Sequence, residues 1–342
     1  MLVTWTLIAL NLLVFYKIIS FLTANDFESM VWNTQKKVFI NPWQRKSHAV
    51  SFRVLWEFLV TKTPKWPKKV SVQTSIPKSS EDKLVITNIG HATHLIQWKH
   101  MNIITDPVYE ERVGPFGFGP SRVKEPGVKF LDLPKIDVVI VSHNHYDHLC
   151  KNTVKRLFKE YSPKFIVPLG LKKILHRWGI RRNVIELDWW SFVTLDSLKF
   201  TAVPAQHWSR RGIFDINKTL WMGMVVESDG KKVFFAGDTG WGPHFEQIHE
   251  RLGKMNIGLL PIGAYAPRSA MKKQHMDPQS AVMAHKVLGC DMSYPIHYDV
   301  FSLGCEAYED AVKELNGALT KASIPQDKFP QIIEGKSVNF NI

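Results

Sequence analysis

A single string constrains this chain more than any other. The apolar run 136–141 has the pattern of a buried strand and leads straight into Ser142-His143-Asn144-His145-Tyr146-Asp147-His148. Four potential metal ligands thus crowd into six residues at a strand end, where a loop is held by a rigid base. A lone histidine is usually a packed or surface residue, but this spacing is not explained that way. Imidazole and carboxylate together suit zinc, with iron and manganese as less common occupants. The spacing also lets the set divide between two ions, His143 and His145 facing one and Asp147 and His148 the other. Three downstream residues repeat the pattern of one ligand at the end of a short apolar stretch. His207 follows 199–204, Asp238 follows 233–236 and a glycine, and His297 follows 292–295.

Around these positions, strand-like runs (84–89, 102–105, 164–167, 221–226, 257–261) alternate with helical patterns (152–161, 170–178, 278–288, 306–315). This predicts one catalytic-size α+β or α/β domain over 81–342. Hydrophobic residues at 45% and charged residues at 22% exclude a disordered or low-complexity chain. Three cysteines without a C-x-x-C cannot build a disulfide framework.

Residues 2–24 carry one charge, Lys17. As a helix they would rise roughly 35 Å, enough to cross a hydrocarbon core of about 30 Å. A cleaved signal peptide and a buried core helix are the rival readings. The run lacks a basic start, and Leu22-Thr23-Ala24 is a poor cleavage site. Residues 1–24 are therefore read as a membrane anchor and 25–80 as a basic arm. The net charge is +13, and 1–80 hold eleven Lys and Arg against three Asp and Glu. That excess follows the apolar run, which places the catalytic domain on the cytoplasmic side and suggests anionic lipid as its partner. No nucleic-acid-binding motif accompanies it.

The series H-x-H-x-D-H, a solitary His, an Asp after Gly and a final His resembles the metallo-β-lactamase superfamily. More closely, the sequence resembles the N-acylphosphatidylethanolamine-hydrolysing phospholipase D family. Asn41-Pro42-Trp43, Gly90-His91-Ala92-Thr93, Asp188-Trp189-Trp190, Gln206-His207-Trp208, Gly237-Asp238-Thr239-Gly240, Gly263-Ala264-Tyr265 and Gln274-His275 carry that likeness. The resemblance implies a four-layer αββα sandwich with two zinc ions per chain. His143, His145 and His207 would hold one ion, Asp147, His148 and His297 the other, and Asp238 would bridge them. It further implies attack of a dizinc-bound hydroxide on the phosphodiester of an N-acylphosphatidylethanolamine-like lipid, giving phosphatidic acid and an N-acylethanolamine.

Asp147 and Asp238 would orient the nucleophile, with His275 and Tyr146 as further catalytic candidates. Capping of the helix at 278 is the alternative for His275, and loop packing the alternative for Tyr146. Arg210, Arg211 and Arg268 are candidates for lipid phosphates, while His91 and Asp106 are expected to support ligands. The loop 112–122, with Phe116 and Phe118, and Tyr298-Asp299 depart from the animal enzymes, which leaves the acyl and head-group preference open. The oligomeric state is open too, a homodimer included. Rival functions are hydrolysis of another ester or phosphodiester, as in a lactonase, and a non-catalytic membrane scaffold.

Overall fold

Short apolar runs between polar turns build two facing sheets. The computed structural model describes residues 83–340 without a break, together with 32–33, 37–43, 57 and 60–78; the expected anchor, 1–24, lies outside these. Among the described residues no helix is long and apolar enough to cross a membrane. The arm supplies a small antiparallel ribbon, β1 (Trp32–Asn33) with β2 (Val38–Phe39).

The first large sheet contains β3 (Leu84–Gly90), β4 (Thr93–Trp98), β5 (Met101–Thr105), β6 (Val138–Ile140), β7 (Lys164–Pro168) and β8 (Val184–Leu187). The second contains β9 (Phe192–Leu195), β10 (Leu198–Val203), β11 (Gly223–Ser228), β12 (Lys231–Phe235), β13 (Ile257–Pro261) and β14 (Met292–Ile296). The last strand, β15 (Ser337–Phe340), returns to pair antiparallel with β3. Each sheet begins as an antiparallel meander, β3-β4-β5 or β9-β10-β11-β12, and continues with parallel strands, β6-β7-β8 or β13-β14.

Strand alternation sorts the side chains into layers. Ile86, Ile96, Ile103 and Val138 of the first sheet share one core with Phe200, Met224, Val233 and Phe235 of the second. Their neighbours Leu95, Ile104, Val139 and Phe165 point outward onto α1 (Lys151–Tyr161) and α2 (Lys172–Arg177), meeting Val154, Leu157 and Leu175. On the second sheet, Val225, Phe234 and Leu260 face outward to α3 (His244–Leu252), α5 (Pro278–Val287) and α6 (Asp310–Lys321). A one-turn helix, α4 (Arg268–Met271), precedes α5. Helix, sheet, sheet, helix is the four-layer order the resemblance implied. Because most strands are covered on both faces, they read in sequence as unbroken apolar runs.

The described parts of the arm pack on this domain. Phe39 N–H donates to the Asn217 carbonyl (2.7 Å), Trp66 Nε1 to the Glu306 carbonyl (3.0 Å), and Trp43 stacks on Trp189 with ring centroids 5.7 Å apart.

Candidate metal centre

Strand direction brings the ligands together. β3, β5 and β6 run one way in the first sheet, and β10, β12 and β14 share a direction in the second. The loops leaving their C-terminal ends carry His91, Asp106, the 143–148 string, His207, Asp238 and His297. Positive φ at His91 (58°) and His297 (60°) turns the chain sharply as it leaves the strand.

Four overlapping groups of donor atoms result, each lying within 4.8 Å: two of four residues, His143, His145, His207 and Asp238, and His91, Asp147, His148 and His297, and two of three, Asp106, His143 and His148, and Asp238, His275 and His297. In the first, His145 Nδ1 is 2.8 Å from His143 Nε2 and 3.2 Å from His207 Nε2. In the second, Asp147 Oδ2 is 3.1 Å from His91 Nε2, 3.2 Å from His148 Nε2 and 3.3 Å from His297 Nε2. Asp238 lies between them. Its Oδ2 is 3.1 Å from His148 Nε2, 3.7 Å from His207 Nε2 and 3.9 Å from His143 Nε2, while its Oδ1 is 3.2 Å from His297 Nε2. All seven ligand candidates are thus brought together. His91, expected only as support, stands with the second set. The signal for it was present in the sequence, a histidine just past a strand-like run, in the same loop position relative to its strand as the other candidates.

The electrostatics suit bound cations. Burial, then the neighbouring imidazoles, push His143 well below the ordinary histidine range. Burial likewise holds His207 well below it and takes His145 down to about 4, so these rings keep neutral lone pairs. Burial alone would raise Asp147 and Asp238, but the surrounding histidines outweigh it and hold both carboxyls well below the usual range. Burial opposes charge on His148 and His297 too, yet the carboxylates around them raise His148 well above its ordinary value and His297 to about 9. Positive charge is therefore favoured at the point where a metal would sit. His148 Nε2 and Asp238 Oδ1 are buried without a hydrogen-bond partner, and metal coordination would satisfy both. The donor set fits two divalent cations.

A supporting layer fixes the ligands. Asp106, fully buried, accepts from Ser142 N–H (2.7 Å), Ser142 Oγ (2.6 Å) and His148 Nδ1 (2.7 Å), which aims His148 Nε2 at the centre. His207 Nδ1 donates to the Gln274 carbonyl at 2.8 Å. Trp189 Nε1 donates to the Trp221 carbonyl (2.6 Å) and Trp221 Nε1 to the Ala205 carbonyl (2.8 Å), a relay that ends two residues before His207. Gly237 lies at φ +59°, and a Cβ there would meet Ser142 Cβ at 2.5 Å, so only glycine lets the Asp238 loop approach the 142–148 loop.

A cavity of about 1010 Å³ opens above the centre, with Asp147, Asp238 and His275 on its floor and Val113, Phe116 and Ile213 on its walls. His275 Nδ1 is 3.8 Å from Asp238 Oδ2, and burial lowers its pKa to about 4. It does not cap α5, because Asp277 does, accepting from Ser280 N–H at 2.8 Å. Tyr146 lines the cavity, but its hydroxyl donates to the Arg211 carbonyl (3.0 Å).

Two of the three arginines are placed otherwise than as phosphate ligands. Arg211 Nη1 donates to the carbonyls of Asn144 (2.9 Å) and Leu149 (2.6 Å), clamping the ligand loop, and its guanidinium lies 3.9 Å from the Tyr146 ring centroid. Arg268 pairs with Asp277 (3.1 Å) and Glu314. Arg210 stays exposed on the cavity wall.

Comparison with known proteins agrees with this geometry. A β-lactamase superfamily domain profile matches residues 101–298. An N-acyl-phosphatidylethanolamine-hydrolyzing phospholipase D of Caenorhabditis elegans is 39% identical over 255 residues, 70% of this chain and 71% of that one. The mitochondrial enzyme of the same name from Saccharomyces cerevisiae is 30% identical over 256 residues, 72% of this chain and 54% of the yeast protein. The metallo hydrolase Igni18 of Ignicoccus hospitalis superposes with a TM-score of 0.58 at 22% identity, covering 76% of this chain and 99% of that one, a likeness of fold. The chain belongs to the N-acylphosphatidylethanolamine-hydrolysing phospholipase D-like family of the β-lactamase superfamily and is a metal-dependent hydrolase.

Proposed function

We propose that the protein is a zinc-dependent phosphodiesterase of the phospholipase D type, hydrolysing N-acylphosphatidylethanolamine-like lipids to phosphatidic acid and an N-acylethanolamine. The observation that carries this reading is Asp238, whose carboxylate lies 3.7 Å from His207 and 3.9 Å from His143 on one side and 3.1 Å from His148 and 3.2 Å from His297 on the other, in a cavity with apolar walls. The names of the worm and yeast relatives support the same reaction. His143, His145 and His207 would hold one zinc ion and Asp147, His148 and His297 the other, with Asp238 between them and His91 beside the second. Two zinc ions, when bound, lower the pKa of water and neutralise charge growing on phosphoryl oxygens.

The chain's own groups do the remainder. Asp147 and Asp238, ionised and facing the cavity, orient the attacking oxygen in line with the departing alkoxide. His275, kept neutral by burial, offers a ring N–H to a phosphoryl oxygen. Tyr146, with its hydroxyl committed to Arg211, positions the wall rather than the phosphate. Residues 1–24 would anchor the enzyme with its catalytic domain on the cytoplasmic side; the single charge in 2–24 and the basic arm support this.

Turnover of N-acylphosphatidylethanolamine vesicles in ¹⁸O-water tests the reaction. Attack at phosphorus puts the label in phosphatidic acid. Release of a free fatty acid, or cleavage of a lactone with the lipid untouched, would assign the site to another ester.

A further inference from the structure

A second recess adjoins the active-site cavity. Its volume is about 1130 Å³, and Gly212 and Ile213 form a wall common to both. Six exposed cations line it: Lys37, Lys172, Lys173, Arg177, Arg181 and Lys218. The two carboxylates among them are already engaged by backbone. Glu186 accepts from Lys172 N–H (2.9 Å), and Asp215 accepts from Gly212 N–H (2.7 Å) and Arg211 N–H (3.1 Å). Among the described residues, none of the six cations makes an ion pair. Like charges gathered in one recess repel one another, and an anionic surface relieves that cost.

Large apolar side chains are exposed along the same rim. Ile213 is 73% exposed and Phe214 85%, beside the shared wall; on the loop across the cavity, Phe116 is 99% exposed and Phe118 75%. Scattered exposed hydrophobics need no explanation, but four on the two loops that frame one cavity mouth, next to a recess of one charge sign, do.

We propose that this face docks on a bilayer containing anionic phospholipids, with Phe116, Phe118, Ile213 and Phe214 entering the acyl boundary and the six cations resting on head-group phosphates. Aromatic residues with adjacent Lys and Arg are the composition that lies in a membrane interface. A second copy of the chain fits less well, since a two-fold contact would set the basic recess against itself. Docked this way, the cavity mouth meets the leaflet, and a phospholipid reaches the metal centre without crossing water. The inference deepens the lipid-phosphodiesterase reading, but its test involves no turnover and so stands apart from it.

The full chain is placed in nanodiscs of phosphatidylcholine alone or with phosphatidylglycerol added, and lysines are footprinted by acetylation. Labelling of Lys172, Lys173 and Lys218 should fall about fivefold in the anionic discs. Lys99, in the turn between β4 and β5, and Lys254, in the segment leading into β13, lie at the opposite ends of the strands and should not change. Hydrogen exchange should slow across 112–120 and 210–218. The triple variant Lys172→Glu, Lys173→Glu, Arg177→Glu, all exposed on α2, should abolish the difference at Lys218. Equal labelling in the two discs, or a difference that survives the triple variant, overturns the proposal. Protection that appears without lipid and grows with protein concentration assigns the face to a second copy and overturns it as well.

Discussion

Replacing Asp106 by Asn should weaken one of the two proposed metal ions while leaving the fold in place. Asp106 is fully buried and accepts three hydrogen bonds, two from Ser142 and one from His148 Nδ1. Asparagine keeps the shape and one accepting oxygen, which can still serve Ser142. Its amide N–H₂ then faces His148 Nδ1–H, donor against donor. The clash is relieved when the imidazole shifts its proton to Nε2, the atom lying 3.2 Å from Asp147 and 3.1 Å from Asp238. A protonated Nε2 has no lone pair for a metal. Loss of such a support costs about 10- to 100-fold in metal affinity, or about 1.4–2.7 kcal/mol. Titration against a competing chelator would show one equivalent weakened by that factor and the other, on His143, His145 and His207, much less affected. Circular dichroism would confirm the fold. Two equivalents of unchanged affinity would refute the tautomer argument.

Three further outcomes are expected. His275→Ala should lower kcat about 100-fold with metal content and melting temperature preserved, because Asp277 and not His275 caps α5; a lower melting temperature with kcat intact would contradict this. Gly237→Ala should cost about 2 kcal/mol or more in chemical denaturation and lower metal occupancy, since its Cβ would lie 2.5 Å from Ser142 Cβ at φ +59°; a neutral substitution would count against the close approach. His94 and His244, pushed by burial to about 4 and about 3 from an ordinary 6.5, stay neutral when folded but take up protons when unfolded. The unfolded state then binds more protons, so stability is full above about pH 6.5 and falls as the pH drops toward those values. The loss is about 2 kcal/mol per histidine at pH 5. Asp299, raised to about 6 by burial, acts in the opposite sense, so His94→Gln and His244→Gln are each compared with the parent chain in urea at pH 5 and 7. Variants that lose as much stability as the parent would exclude the mechanism.

Much of this was legible in the residues, and the gaps have physical causes. The run 257–261 reads as a strand and is one, because the interior of a two-sided sheet needs continuous apolar residues. The helices near 151 and 278 are legible through their 3.6-residue pattern and, at 278, the Asp-Pro start. β9 and β15 escape because they are short edge strands with half their residues exposed, so little apolar signal survives. β4 escapes because Thr93, His94 and Gln97 are polar but buried, Gln97 Nε2 donating to Asn102 Oδ1 at 3.0 Å. At the site, the candidate ligands follow a rule the sequence displays, donors in the loops that leave strand C-terminal ends. The clamping role of Arg211 does not, because it depends on carbonyls 62 to 67 residues away.

The proposed sharing of Asp238 between two ions is open to direct measurement by metal analysis of purified chain. About two ions per chain are expected. His207→Ala should remove one, His297→Ala the other, and Asp238→Ala should weaken both together. A ratio of one or none in the parent chain, or an Asp238→Ala chain that keeps its full complement, would contradict the shared centre.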